Sequence, residues 1–145
     1  MAKSLKIVVT GASGFIAKNL RRYLSKQNVD LISISRSDFK KFNHESKIIS
    51  KNYNEKSIVQ KIKNSDVLIH LVGIGKQSVK TDYDMINTEF TKHIVNLSKK
   101  SKINKIIYFS GLGVSPNTSL GYFISKYNAE KQIIDSGLDY TIFRP

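Results

Sequence analysis

Short apolar runs alternate with longer, helix-patterned stretches from one end of the chain to the other, and this alternation restricts the fold more than any other feature. Leu5-Lys6-Ile7-Val8-Val9, Leu31-Ile32-Ser33-Ile34, Ile48-Ile49, Val67-Leu68-Ile69-His70-Leu71-Val72, Ile106-Ile107-Tyr108-Phe109 and Tyr140-Thr141-Ile142-Phe143 read as strands. The fourth is apolar nearly throughout, as strands covered on both faces are. Residues 15–25, 58–62, 83–100 and 122–135 read as helices. The first carries Phe15, Ile16, Leu20, Tyr23 and Leu24, and the third places Met85, Ile86, Phe90, Ile94 and Leu97 on one side. Six strands separated by mostly helical segments predict an α/β fold with a doubly wound parallel sheet. The 145 residues suit a single domain with a sizeable core, and they contain no repeats, low-complexity stretches or linkers.

The first strand runs into Thr10-Gly11-Ala12-Ser13-Gly14-Phe15-Ile16-Ala17, which then opens a helix. Gly11 and Gly14 let the backbone turn tightly and come close to a pyrophosphate. The helix N-terminus adds unpaired N–H donors and roughly half a positive charge. Ala17 stands where a third glycine is common and still allows close helix–strand packing. A glycine pattern alone is weak, but a strand-to-helix junction is the context that gives it meaning. The expected ligand is a dinucleotide. An acid at the end of the second strand would bind the ribose 2′-OH of NAD, but Ile34-Ser35-Arg36-Ser37 offers hydroxyls and a guanidinium. Arg36 suits a 2′-phosphate through its bidentate fork, and Lys40 and Lys41 add charge. Asp38 lies too late for the ribose and reads as a helix N-cap. The expected cofactor is therefore NADP(H), with NAD as second choice.

Charge raises the question of nucleic acid, since the formal net charge is +13. The cations are dispersed over nearly every segment and cluster only in pairs, Arg21-Arg22, Lys40-Lys41 and Lys99-Lys100. Without a dense basic stripe or interleaved aromatics, the sequence reads as a solvated lysine surface and not as a nucleic-acid binder. Cysteine is absent and the three histidines are far apart, which excludes disulfides and the usual metal-ligand spacings. No apolar stretch is long enough to span a membrane, and the first residues run straight into a strand without the pattern of a secretion signal. A cytoplasmic protein is the expectation.

Several segments resemble, in the right order, the extended and atypical short-chain dehydrogenases/reductases, a superfamily that includes NAD-dependent epimerases and dehydratases. Thr10-Gly11-Ala12-Ser13-Gly14-Phe15-Ile16 is similar to their TGxxGFI turn, and Leu71-Val72-Gly73 to the element after strand four. Asn87, Phe109-Ser110-Gly111-Leu112-Gly113, Tyr122-Phe123-Ile124-Ser125-Lys126, Glu130 and Thr141-Ile142-Phe143-Arg144-Pro145 continue the likeness over the whole chain. The resemblance implies a Rossmann fold with strand order 3-2-1-4-5-6. It implies cofactor contacts at Gly11, Ser13, Gly14, Phe15, Ile16, Arg36, Asn52, Leu71, Val72, Gly73, Asn87, Ser110, Tyr122 and Lys126. Tyr122 and Lys126 are also the implied catalytic pair, Tyr122 exchanging a proton with the substrate oxygen and Lys126 holding the nicotinamide ribose. A second pair of the same spacing, Tyr127 and Lys131, starts about 140° round the helix and reads as packing.

Two positions depart from the pattern. Leu112 stands where many members carry a Ser or Thr that polarises the substrate oxygen, and Asn52 where an aspartate contacts adenine. Dinucleotide binding tolerates both, because an Asn side-chain oxygen also accepts a hydrogen bond. Catalysis is affected more. The C-terminal stretch is most similar to the atypical group containing the NADPH-binding accessory subunit of respiratory complex I. Two functions follow: the cofactor domain of an oxidoreductase or epimerase-like enzyme, or a non-catalytic subunit that holds NADPH as a structural or sensing ligand. Members usually continue into a substrate lobe, expected here after Pro145, so residues 1–145 alone are expected to be inactive.

Overall fold

Alternation along β1 (Leu5–Thr10) sets up two layers, because successive strand residues point to opposite faces. Val8 enters one core, and Ile7 and Val9 enter the other. The chain, described by a computed structural model over residues 2–54, 56–78 and 82–145, continues with β2 (Val29–Ser35), β3 (Glu45–Ile49), β4 (Val67–His70), β5 (Lys105–Phe109) and β6 (Asp139–Phe143). All pairings are parallel, and the spatial order is β3-β2-β1-β4-β5-β6. The doubly wound sheet expected from the alternation is the sheet observed.

Between the strands lie α1 (Phe15–Leu24), α2 (Lys56–Ile62), α3 (Phe90–Lys100) and α4 (Gly121–Ile134). The larger core joins Val8, Ile34, Leu68 and Ile106 to Ile58, Ile62, Ile94, Leu97 and Ile133 from α2, α3 and α4. Fully burying each aliphatic side chain contributes about 1.5–3 kcal/mol. The smaller core joins Ile7, Val9, Leu31, Val67 and Ile69 to Ala17, with Leu20 and Leu24 packed at its edge. No helix among the described residues is long and apolar enough to cross a membrane.

The structure corrects several details. The helix expected over 83–100 begins with a π-helical segment, Asp84–Glu89, in which the Phe90 N–H bonds to the Met85 carbonyl five residues back. The wider turn rotates the surface, so Asn87 and Thr88 face inward while Met85 lies exposed. In α1 the apolar assignment fails for Phe15, Ile16 and Tyr23, which are exposed, whereas Ala17 and Arg21 are buried. The third strand extends N-terminally from Ile48-Ile49 to Glu45. Asp38 caps no helix, since residues 36–44 are irregular; its carboxylate accepts the Phe39 N–H and the Lys47 ammonium.

Candidate functional site

The carboxyl ends of β1, β4 and β5 converge with the start of α1, where open parallel sheets bind ligands. At the β1–α1 turn, Gly11 has φ +69°, and a Cβ there would lie 3.1 Å from the Leu71 backbone and from Val72 Cγ2. Only glycine fits both the conformation and the space. The Gly14 N–H closes the turn on the Gly11 carbonyl (2.9 Å), and the Ala12 N–H bonds to the Ile34 carbonyl (3.0 Å). No side chain caps α1 and no acid stands in its first turn, so the helix presents its free N–H groups outward.

Tyr53, to which the sequence reading gives no part, braces this turn. Its buried hydroxyl accepts the Gly11 N–H (3.2 Å) and donates to the Ile34 carbonyl (2.9 Å). Burial pushes the phenol up to about 12, which keeps the donor protonated. The residue itself sits at φ +57°, an uncommon conformation for a bulky side chain that no sequence signal announces.

Behind the turn, His70 ties three elements together. Thr10 Oγ1 accepts the Leu71 N–H (3.2 Å) and gives its own proton to His70 Nδ1 (2.8 Å), which is bare once Thr91 fixes the ring proton on Nε2. Thr91 Oγ1 donates to the Asn87 carbonyl (2.7 Å), so it accepts from His70 Nε2 (3.0 Å). The two directions assign the neutral Nε2–H tautomer. Burial lowers the His70 pKa to about 3, and the Lys126 charge acts in the same direction.

Two cavities meet at Val72. One, of about 380 Å³, collects Arg36 and Asn52 with Ile86 and Phe90, giving an apolar slot with a guanidinium on its lining. The other, of about 170 Å³, collects Ile16, Leu71, Gly73, Ser110, Tyr122 and Lys126. The structure thus brings together most residues that the sequence singles out. Asn87 lies behind the second cavity: its Oδ1 accepts the Ile74 N–H (2.9 Å), and its Nδ2 donates to the Ile74 carbonyl and to Ser125 Oγ. Phe15, 84% exposed, lines neither cavity, and Ser13 accepts a hydrogen bond from Ser35 (2.8 Å) beside a third, larger cavity.

Lys126 is buried, donates to the Phe109 carbonyl (2.8 Å) and lies 4.5 Å from the centre of the Tyr108 ring. Burial lowers its pKa to about 8, against the opposing charge of Glu130. Glu130 is itself held by Arg144 through two hydrogen bonds, 3.0 and 2.6 Å, so the Arg144 of the terminal motif anchors β6 to α4. Tyr122 packs edge-on against Tyr83 and Phe123, with its hydroxyl over Gly111. Ser110 Oγ is buried without a hydrogen-bond partner among the described residues. Leu112 is 77% exposed and lines neither cavity. An uncapped helix start, a slot for a flat base and an orphaned hydroxyl beside a buried lysine form a donor set that fits a dinucleotide.

Residues 11–145 match the family described as NAD(P)H-binding. The chain belongs to that family. Among its relatives, the mitochondrial 40 kDa subunit of NADH-ubiquinone oxidoreductase from Neurospora crassa is 21% identical, aligned over 94% of this chain and 39% of its own length. The chain therefore spans well under half of that relative. Of solved structures, the oxidoreductase ylbE from Lactococcus lactis superposes with a TM-score of 0.83 at 19% identity, over 97% of this chain and 68% of that one. The UDP-glucuronic acid 4-epimerase from Bacillus cereus, solved with NAD, gives 0.80 at 20% identity, over 97% and 56%. These similarities establish an NAD(P)-binding Rossmann domain with oxidoreductase- and epimerase-like neighbours.

Proposed function

We propose that this NAD(P)H-binding domain prefers NADP(H) and serves an oxidoreductase or epimerase-type protein whose substrate lobe lies outside residues 1–145. The observation that carries the reading is the cavity in which Tyr122, Lys126 and the orphaned Ser110 hydroxyl face the β1–α1 turn. Tyr122 would exchange a proton with the substrate oxygen, and Lys126 would hold the ribose hydroxyls by its ammonium. When bound, the nicotinamide supplies the hydride chemistry. The half-covered β6, with Tyr140 and Phe143 exposed, supports a further lobe, as does the greater length of the relatives.

Preference for the phosphorylated cofactor rests on Arg36, which lines the larger of the two cavities, where Glu89 is the one acid among the described residues. Calorimetric titration of residues 1–145 tests it. NADPH binds more tightly than NADH, and Arg36→Ala costs about 1.5–3 kcal/mol for NADPH, the scale of a charged hydrogen bond. Equal affinities for the two cofactors would overturn it. For the chemistry, Tyr122→Phe in the longer protein abolishes turnover but not NADPH binding, whereas Tyr127→Phe keeps both.

A non-catalytic reading has its own support: Leu112 offers no hydroxyl, and Lys126 already gives a hydrogen bond to Phe109. Full NADPH binding with no turnover on carbonyl or sugar-nucleotide substrates would favour it.

A further inference from the structure

Tyr83 stands half-buried at the entry to the π-helical segment and touches two separate parts of the chain. Its ring meets Tyr122 edge-on, with centroids 5.7 Å apart and an interplanar angle of 71°, a favoured arrangement for aromatic pairs. The same ring covers the first residue of α4, where a Cβ at Gly121 would lie 3.5 Å from Tyr83 Cδ2. On its other contacts, the Tyr83 hydroxyl donates to the Gly75 carbonyl (3.2 Å) and the backbone N–H donates to Gln77 Oε1 (3.2 Å). Both partners belong to the loop after β4. Gly75 and Tyr122 line the smaller of the two cavities that meet at Val72, whereas Tyr83 lines neither.

Helix α4 starts without a side-chain cap, so its first turn is held from outside the helix. Asn87 and Thr88 secure Ser125, three residues beyond Tyr122, through bonds of 3.0 and 3.1 Å. Those bonds fix the helix but leave the Tyr122 ring free to turn about its own side-chain torsions. Ring contacts seat the phenol instead. Phe123 flanks it from the same helix, and a Cβ at Gly111 would lie 3.5 Å from the Tyr122 hydroxyl and 3.7 Å from Cε1. Phe123 moves with α4, while Tyr83 comes from another element and ties the phenol to it. Misplacing a reacting group by about 1 Å can cost on the order of 100-fold in rate, so a contact that blocks a change of rotamer bears on chemistry.

We propose that Tyr83 is a positioning residue for the candidate site. Its ring seats the Tyr122 phenol over Gly111 and its hydroxyl ties down the loop after β4, so one side chain sets two walls of the smaller cavity. The proposal rests for its chemical meaning on the reading in which Tyr122 meets the substrate oxygen, but the seating of the ring is tested apart from it. Ring and hydroxyl act on different walls and are separable. Tyr83→Phe keeps the ring alone, and Tyr83→Leu removes both.

The first readout is a nuclear Overhauser spectrum of the isotopically labelled chain without cofactor. Cross-peaks are expected from the Tyr122 ring to the Gly111 Hα protons and to the Tyr83 ring. Tyr83→Phe keeps the Tyr122–Gly111 peak and Tyr83→Leu loses it. The peak between the Phe109 and Phe143 rings, 5.3 Å apart, persists in both and shows that the fold is intact. Should Tyr83→Leu not fold, Tyr83→Met, which fills the space without a flat ring, takes its place. A Tyr122–Gly111 peak that survives loss of the Tyr83 ring, or a wild-type spectrum without the Tyr83–Tyr122 peak, would overturn the proposal. Calorimetric titration with NADPH reads the hydroxyl. Tyr83→Phe should bind NADPH about two- to tenfold more weakly, the scale of one neutral hydrogen bond, although residue 83 lines neither cavity. Affinity equal to that of the wild type would overturn the tie to the loop. A wild-type chain that binds no NADPH would count against the dinucleotide reading instead, with the spectra still deciding how Tyr122 is held.

Discussion

Arg21 and Glu45 form an ion pair with both side chains almost wholly out of solvent. Burial pushes the Glu45 carboxyl upward, but donors from Arg21, Ser33 and the Phe42 backbone outweigh it and hold the group below the usual carboxylate range. Such a pair adds little over an apolar replacement, yet breaking it leaves a buried charge without a partner. Glu45→Ala is therefore expected to cost about 3–5 kcal/mol in urea unfolding, while removal of Lys47 from the exposed Asp38 pair leaves the midpoint nearly unchanged. His70 gives a second prediction, in pH. Its folded pKa, about 3, lies below the ordinary 6.5, so between these values the unfolded chain binds the extra proton. Its contribution is complete above pH 6.5 and is lost as pH falls toward 3. Between pH 6.5 and 5 the Glu45 carboxylate remains ionised and Lys126 remains charged, so neither of these buried groups contributes to the slope. Stability there should fall by up to about 1.4 kcal/mol per pH unit, and His70→Gln should flatten the slope. An unchanged slope in thermal melts of the variant would count against a buried His70 that stays neutral.

At the scale of elements, the β1–α1 turn is shaped by a side chain 42 residues away. Tyr53→Phe removes the hydroxyl that joins Gly11 to Ile34 and should cost about 1–3 kcal/mol of stability. Because Tyr53 lines neither dinucleotide cavity, any accompanying loss of NADPH affinity reports the turn's position and not a lost contact. Gly11→Ala should be harsher, forcing a Cβ to 3.1 Å from backbone at a positive φ; titration with NADPH would show binding lost along with stability. The strands with continuous apolar runs were legible because both their faces are covered. β3 was legible only in part, since Glu45, Ser46 and Lys47 are polar and their place depends on Arg21 across the layer. The exposed Phe15 and Ile16 look like core in a helical pattern, although the start of α1 faces the ligand groove. Gly11 and Gly14 could be read from a local pattern at a strand–helix junction, whereas Tyr122 and Lys126 were singled out by the resemblance, since Tyr127 and Lys131 share their spacing. Tyr53 and the histidine relay could not, because each depends on contacts between segments that spacing does not encode.

Residues 1–145 share a single sheet with the candidate site at the carboxyl ends of its central strands, so ligand binding should stabilise all of them together. With NADPH at 100 times its dissociation constant, linkage adds about 2.7 kcal/mol, enough to raise the melting temperature by several degrees. Differential scanning fluorimetry checks this, and NADH at the same concentration should give the smaller rise. The strand order has a consequence of a different kind. β1 is made first, yet it lies at the centre of the sheet, and its register with β4 pairs residues 60 positions apart, from Ile7–Val67 to Thr10–His70. On a ribosome adding about 5–20 residues per second, the glycine turn and its strand wait roughly 3–12 seconds for that neighbour to be synthesised. During that interval the Val8 and Val9 edge is open to other chains. The order of synthesis therefore exposes the nascent chain at the same strand on which the finished site is built.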